Sequence, residues 1–190
     1  MRYRFLLISG SLRSASTSSA ALLAAGELVP ADVEPVRYHG LDVLPHFNPD
    51  RDVDPLDDAV ADLRTAIHQA DAMVLSTPEY AGALPGAFKN LLDWTIGDDQ
   101  PGSIYDKPVG WVDVSPRGAN GAYAELRTVL SYAHARIIES TCAQIPVTAT
   151  MVGTAGLIED EKARGALSHV LVELLAAAIE AGNDRPRGPA

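Results

Sequence analysis

Cysteine is almost missing from this chain: Cys142 is the only one in 190 residues. No intramolecular disulfide can form, and metal sites built from several thiolates are excluded. A single free thiol suits a reducing compartment, where its default role is that of a buried, inert packing residue. Positive charge is also scarce. Fifteen Lys and Arg face 25 Asp and Glu, a net charge of −10. The chain therefore lacks the clustered cations that displace counterions from nucleic acid. Long apolar runs are absent as well. Arg2 and Arg4 precede only four consecutive apolar residues, Phe5 to Ile8, too few for a signal-peptide core. No stretch approaches the ~18 apolar residues of a membrane span. The expectation is a cytoplasmic protein with no membrane or nucleic-acid partner. There is no Walker A ending, no GxGxxG, no GxSxG elbow and no HExxH pair. His39, His46, His68, His134 and His169 are scattered without ligand spacing, so no metal is expected.

What the chain does have is a globular balance, 47% apolar and 21% charged residues. Its length suits a single domain over residues 1–182, with residues 183–190, rich in proline and glycine, as a frayed tail. Strand-like segments are expected at Phe5–Ile8, Val33–His39, Ala72–Ser76, Pro108–Val114 and Ala135–Ser140. Helices are expected at Ser18–Leu28, Leu56–Gln69 (Asp54 capping, Pro55 at the first position), from Pro85 through Trp94, Gly121–His134 and Glu159–Ala181. Strict β-α alternation implies a parallel sheet covered on both faces. Five strands suit a three-layer sandwich in the doubly wound order 2-1-3-4-5, with ligands at the carboxyl ends of the strands flanking the switch point. Those ends are the loops after the first, third and fourth strands.

The first loop, "GSLRSASTS", lies between a strand and a helix N-terminus. A helix N-terminus favours an anion. Ser11, Ser16 and Ser18 offer hydroxyls, and Arg13 offers a guanidinium fork matched to phosphate. Hydroxyls with one arginine suit a terminal phosphomonoester better than a pyrophosphate. Helix capping needs one of these hydroxyls, and capping alone leaves Arg13 unexplained. In the second loop, "STPEYAGALPGAFKNLLDW", Pro78 stiffens the exit from the strand. Ala81, Gly82 and Ala83 carry almost no side chain, so a flat ligand can lie against the backbone. Tyr80 offers an aromatic edge. An ordinary turn punctuated by Pro and Gly reads the same way.

Together the two loops resemble those of the NADPH-dependent FMN reductases, a flavodoxin-like family that includes quinone, azo-dye and chromate reductases. "GSLRSASTS" is similar to the family's GSxRxxSxN phosphate loop, and "PEYAGALPGAFKNLLDW" to its PEYNxxxPGxxKNxxDW flavin loop. The element order keeps the same register over nearly the whole chain. The resemblance implies non-covalent FMN, with its phosphate at Ser11, Arg13, Ser16 and Ser18 and its ring beside Pro78, Glu79, Tyr80, Ala81 and Gly82. Ser115, in the third loop "DVSPRGANGA", fits the segment that closes over the ring. Arg117 is either a neighbour of the ring or the NADPH phosphate, or a solvated loop residue. Two positions depart from the family: Ser18 and Ala81 stand where asparagine is usual.

The resemblance further implies ping-pong hydride transfer from NADPH or NADH through FMN to a small acceptor such as a quinone, flavin, azo compound or chromate. No protein acid or base is required, so no catalytic residue is expected. It also implies a homodimer or homotetramer. Phe88, Leu91, Leu92 and Trp94 offer enough apolar surface for either a partner or the protomer's own core. The alternative reading is a flavodoxin-like FMN electron carrier serving a protein partner, which the acidic balance would suit.

Overall fold

A computed structural model describes residues 2–184. Five parallel strands form one sheet in the order β2-β1-β3-β4-β5. They are β1 Tyr3–Ser9, β2 Val33–Arg37, β3 Ala72–Ser76, β4 Pro108–Asp113 and β5 Arg136–Gln144. The helices are α1 Thr17–Leu28, α2 Asp58–His68, α3 Gly86–Asp93, α4 Asn120–Tyr132 and α5 Glu161–Asp184. The central strands are apolar without alternation because both faces are covered. Phe5 and Leu7 pack with α1 and α5, while Leu6 and Ile8 pack with α2, α3 and α4. This is the three-layer flavodoxin-like sandwich the β-α alternation implies.

Several boundaries differ from expectation. The carboxylate of Asp57, not Asp54, caps α2 by accepting the Ala59 N–H at 3.1 Å. Pro55 and Leu56 therefore precede the helix, and Leu56 packs against the core from the loop. β2 stops at Arg37, two residues short of His39, and β5 runs on to Gln144. Its pairing with β4 jumps: Val109 faces Ile137, but Trp111 faces Cys142. The extra residues bulge out, and Thr141 folds its hydroxyl back onto the Ile138 carbonyl at 2.8 Å. Gly110 makes room for this, since a Cβ there would collide with Thr141. The last helix runs to Asp184, so residues 183 and 184 are helical. The rest of the expected tail lies outside the described residues.

The four apolar residues at and after α3 all turn inward. Phe88, Leu91 and Leu92 are 0% exposed and Trp94 1%. They belong to the protomer's own core and present nothing to a partner. One helix, α5, is long and apolar enough by composition to cross a membrane. It packs instead as a sheet-covering layer, with Leu167, Leu171 and Leu174 buried in the core.

Candidate functional site

The three loops meet at the carboxyl edge of the sheet. The first and second are in direct contact. The Gly10 N–H donates to the Ser76 carbonyl at 2.8 Å, and a Cβ on Gly10 would collide with Thr77 and Phe88. Glycine here is the condition for that close approach.

In the first loop, hydroxyls mostly organise the backbone. Ser9 pairs with Ser19 at 2.9 Å and accepts the Ser11 N–H, and Ser11 accepts the Arg13 N–H at 3.3 Å. Ser16 is the N-cap of α1, accepting the Ser19 N–H. The capping explanation therefore holds for Ser16. It leaves three donors over. The N–H groups of Thr17 and Ser18 have no acceptor among the described residues, and Ser18 is 2% exposed. The exposed Arg13 guanidinium has no carboxylate partner among them either. The first turn of α1 contains no acidic residue, whereas α2 and α5 each carry one. An orphaned N–H on a buried residue is rare and calls for an acceptor. A phosphate supplies one, so the residues present fit the FMN phosphate.

The second loop forms a two-residue hairpin. Tyr80 and Ala83 exchange N–H···O=C bonds at 3.0 and 3.1 Å around Ala81 (φ 52°) and Gly82 (φ 78°). Two consecutive positive φ values mark a type I′ turn, which favours Asn-Gly. That explains the family's asparagine at this position through backbone geometry alone: Ala81 adopts a left-handed conformation that asparagine reaches more easily. The turn tip is exposed, its Ala81 and Gly82 N–H groups have no partner among the described residues, and Tyr80 is 46% exposed beside it.

Glu79 engages the start of α4 beside the turn. Its Oε2 accepts the N–H groups of Gly121 and Ala122 at 2.7 and 3.1 Å, capping α4 from another loop. In return Glu125 of α4 accepts the Leu84 N–H at 2.7 Å. Gly121 lies so close to the turn that a Cβ would collide with the Gly82 carbonyl. Thr77 is tied in as well: its N–H donates to the Tyr123 hydroxyl at 3.1 Å, which donates to the Val112 carbonyl at 2.7 Å. Burial pushes the Tyr123 phenol above its ordinary range, so it remains a donor. Sequence patterns gave no sign of this Glu79–Glu125 latch, because its partners are some 40 residues apart.

In the third loop the buried Asp113 accepts the Ser115 and Ala119 N–H groups at 2.9 and 2.8 Å. This closes a turn in which the Gly118 N–H reaches the Ser115 carbonyl at 3.1 Å. The Ser115 side chain is half-buried with its hydroxyl unpartnered, and Arg117 is exposed without an ion pair among the described residues. Pro78 is half-buried. The structure thus brings Pro78, Tyr80, Ala81, Gly82 and Ser115 to one edge. It places Arg13 and the α1 terminus on the other side of Gly10. Among the described residues no group of His, Cys, Asp and Glu is arranged to hold a metal.

This geometry has counterparts among known proteins. The sequence profile of NADPH-dependent FMN reductases matches residues 3–149. An NAD(P)H-dependent FMN reductase of Pseudomonas aeruginosa is 32% identical over 172 residues, covering 90% of this chain and 92% of that protein. A quinone reductase of Pseudomonas putida is 29% identical over 83% of this chain and 82% of its own. Among solved structures, the Paracoccus denitrificans flavoenzyme FerB, an NAD(P)H:(acceptor) oxidoreductase, superposes with a TM-score of 0.82 at 26% identity. That match covers 94% of this chain and 98% of FerB. The chain belongs to the NADPH-dependent FMN reductase family: it is an FMN-dependent NAD(P)H oxidoreductase.

Proposed function

We propose that this enzyme passes reducing equivalents from NAD(P)H to small quinone-type acceptors across the open edge formed by the three loops. One observation carries this reading: an α1 terminus whose first N–H groups, like Arg13, have no partner among the described residues shares the carboxyl edge of the sheet with a turn whose tip bears only Ala81 and Gly82. When bound there, FMN supplies the two-electron carrier between nicotinamide and acceptor.

The protein's own residues do the rest. Arg13, the hydroxyls of Ser11 and Ser16, and the Thr17 and Ser18 N–H groups hold the phosphate. Ser18 serves through its backbone, so the absent asparagine side chain matters little. The Ala81 and Gly82 N–H groups, without partners among the described residues, would donate to the flavin and favour negative charge on it. Pro78 and Tyr80 wall the ring, Ser115 closes the third side, and Glu79 acts by keeping the turn in place. The bare, exposed turn would leave room for a flat molecule beside the bound flavin. The names of the P. putida quinone reductase and of a Burkholderia 2-hydroxy-1,4-benzoquinone reductase, 30% identical over 70% of this chain, support a quinone in that place. A cytoplasmic homodimer or tetramer fits the same relationship and is checked by light scattering.

The test is steady-state NADPH oxidation by the FMN-loaded protein with and without benzoquinone. Turnover that depends on quinone supports the reading. Loss of flavin absorbance on anaerobic NADPH addition, with no reoxidation by quinone, would sink the acceptor assignment.

A further inference from the structure

Two clefts flank the first loop on the side away from the bare turn. One, of about 300 Å³, is lined by Ser9, Ser11, Ser19, Arg37, His39 and one carboxylate, Asp42. The other, of about 580 Å³, is lined by Ser14, Ser16, Thr17, Ser19, Arg37 and Thr154, among others. Arg37 and Ser19 line both, so the two clefts adjoin at Arg37 beside the start of α1. In a chain with 25 carboxylate side chains, the wall of the second cleft has none. Glu159 stands behind Gly153, outside that wall. A third cleft, of about 690 Å³ beside α2, is lined by Asp52, Asp54, Asp98 and Asp99, as the overall charge would suggest.

Arg37 is exposed and has no carboxylate partner among the described residues. Its Nη2 donates to Nε2 of His39 at 3.4 Å, so that ring nitrogen accepts. The same cleft is lined by the turn at Gly153–Gly156, whose Thr154 and Ala155 N–H groups have no acceptor among the described residues. Arg37 is also the last residue of β2. NADPH differs from NADH by one phosphomonoester, the adenosine 2′-phosphate, whose two charges need a cation of their own. Arg37 lies apart from Arg13, at the end of β2, and has no carboxylate partner among the described residues.

We propose that Arg37, with His39 beside it, binds the adenosine 2′-phosphate of NADPH and makes the enzyme favour NADPH over NADH. The proposal rests on the placement of the flavin phosphate at Arg13, Ser11, Ser16 and Thr17, which takes the near end of the clefts and leaves their Arg37 end for the second phosphate. A nicotinamide on the bare turn then lays its adenosine end across the first loop into the Arg37 end.

The experiment compares kcat/KM for NADPH and NADH in the FMN-loaded wild type and in Arg37→Ala, and measures calorimetrically the binding of adenosine 2′-monophosphate to both. Flavin affinity is measured in parallel. Arg37→Ala is expected to lower kcat/KM for NADPH about tenfold or more, as loss of a charged hydrogen bond implies. It should leave NADH within about twofold and weaken adenosine 2′-monophosphate to the level of the 5′-isomer. Arg37→Lys should recover part of the NADPH preference by restoring the charge. An unchanged NADPH-to-NADH ratio with normal flavin affinity overturns this inference alone. Weakened flavin binding with an unchanged ratio assigns the clefts to the flavin phosphate and overturns both placements.

Discussion

At the scale of single residues, two positions decide how well the site is made. Ala81 holds a φ of 52°, a conformation that L-residues other than Asn, Asp and Gly reach at a cost. Ala81→Asn should therefore raise stability by about 0.5–1 kcal/mol. A urea melt checks this: the midpoint should rise with an unchanged slope. A fall would mean that the exposed methyl packs against something the turn geometry does not reveal. The exposed Arg13 guanidinium has no hydrogen bond or ion pair among the described residues, so its removal should leave the fold intact. Arg13→Ala should weaken FMN by ~1.5–3 kcal/mol through loss of a charge-assisted hydrogen bond. Fluorescence titration of the apoprotein reads this directly, and an unchanged affinity would remove Arg13 from the phosphate site.

At the scale of elements, the second loop and α4 are joined by two carboxylates acting in opposite directions. Glu79 satisfies two N–H groups at the start of α4, and Glu125 satisfies one on the loop. Glu79→Ala strips the helix of its cap and frees the turn. The expected cost is about 1–2 kcal/mol of stability, as for loss of an N-cap. Glu79→Gln keeps an accepting oxygen and should cost less. Hydrogen exchange should show the Gly121 and Ala122 amides deprotected in the alanine variant, with helix α1 unaffected. Uniform deprotection of the molecule would instead point to global unfolding. The same latch gives Glu79 a role that the family motif does not reveal: it orients the flavin loop, and the side chain itself faces α4.

At the scale of the whole molecule, the ionisable groups with raised pKa values set an alkaline limit. Burial pushes the Cys142 thiol from 9.0 up to about 12, aided by Glu139. Burial, with Asp62 and Asp42 nearby, pushes the Tyr38 phenol from 10.0 up to about 12. Each folded-state value lies above the unfolded one, and the neutral form is the protonated one. Their contribution is complete below about pH 9 and is lost as the pH rises toward 12, where the unfolded chain releases protons that the folded chain retains. Thermal midpoints should hold steady up to about pH 9 and then fall. At about pH 8 a thiol reagent should label Cys142 slowly in the native protein and fully once it is unfolded. Rapid native labelling would show that the bulge around Thr141 and Cys142 opens readily.

Much of this architecture was legible without coordinates. Strict β-α alternation and right-handed crossovers leave few sheet orders, and unbroken apolar strands require cover on both faces. The hydroxyl-rich loop with Arg13 and the bare Ala81–Gly82 tip were visible for the same reason: their signals lie within a few consecutive residues. What local pattern could not supply depends on pairs distant in sequence. The start of α2 turned on which of two nearby aspartates could reach an N–H. The irregular register of β5 turned on the room Gly110 leaves for Thr141. The Glu79 cap on α4 and the joining of two clefts at Arg37 arise only when the crossovers bring separate loops to one edge of the sheet. Short-range hydrophobic pattern determined the fold and located the loops. Long-range packing decided which of their polar groups are already satisfied and which remain free to hold a ligand.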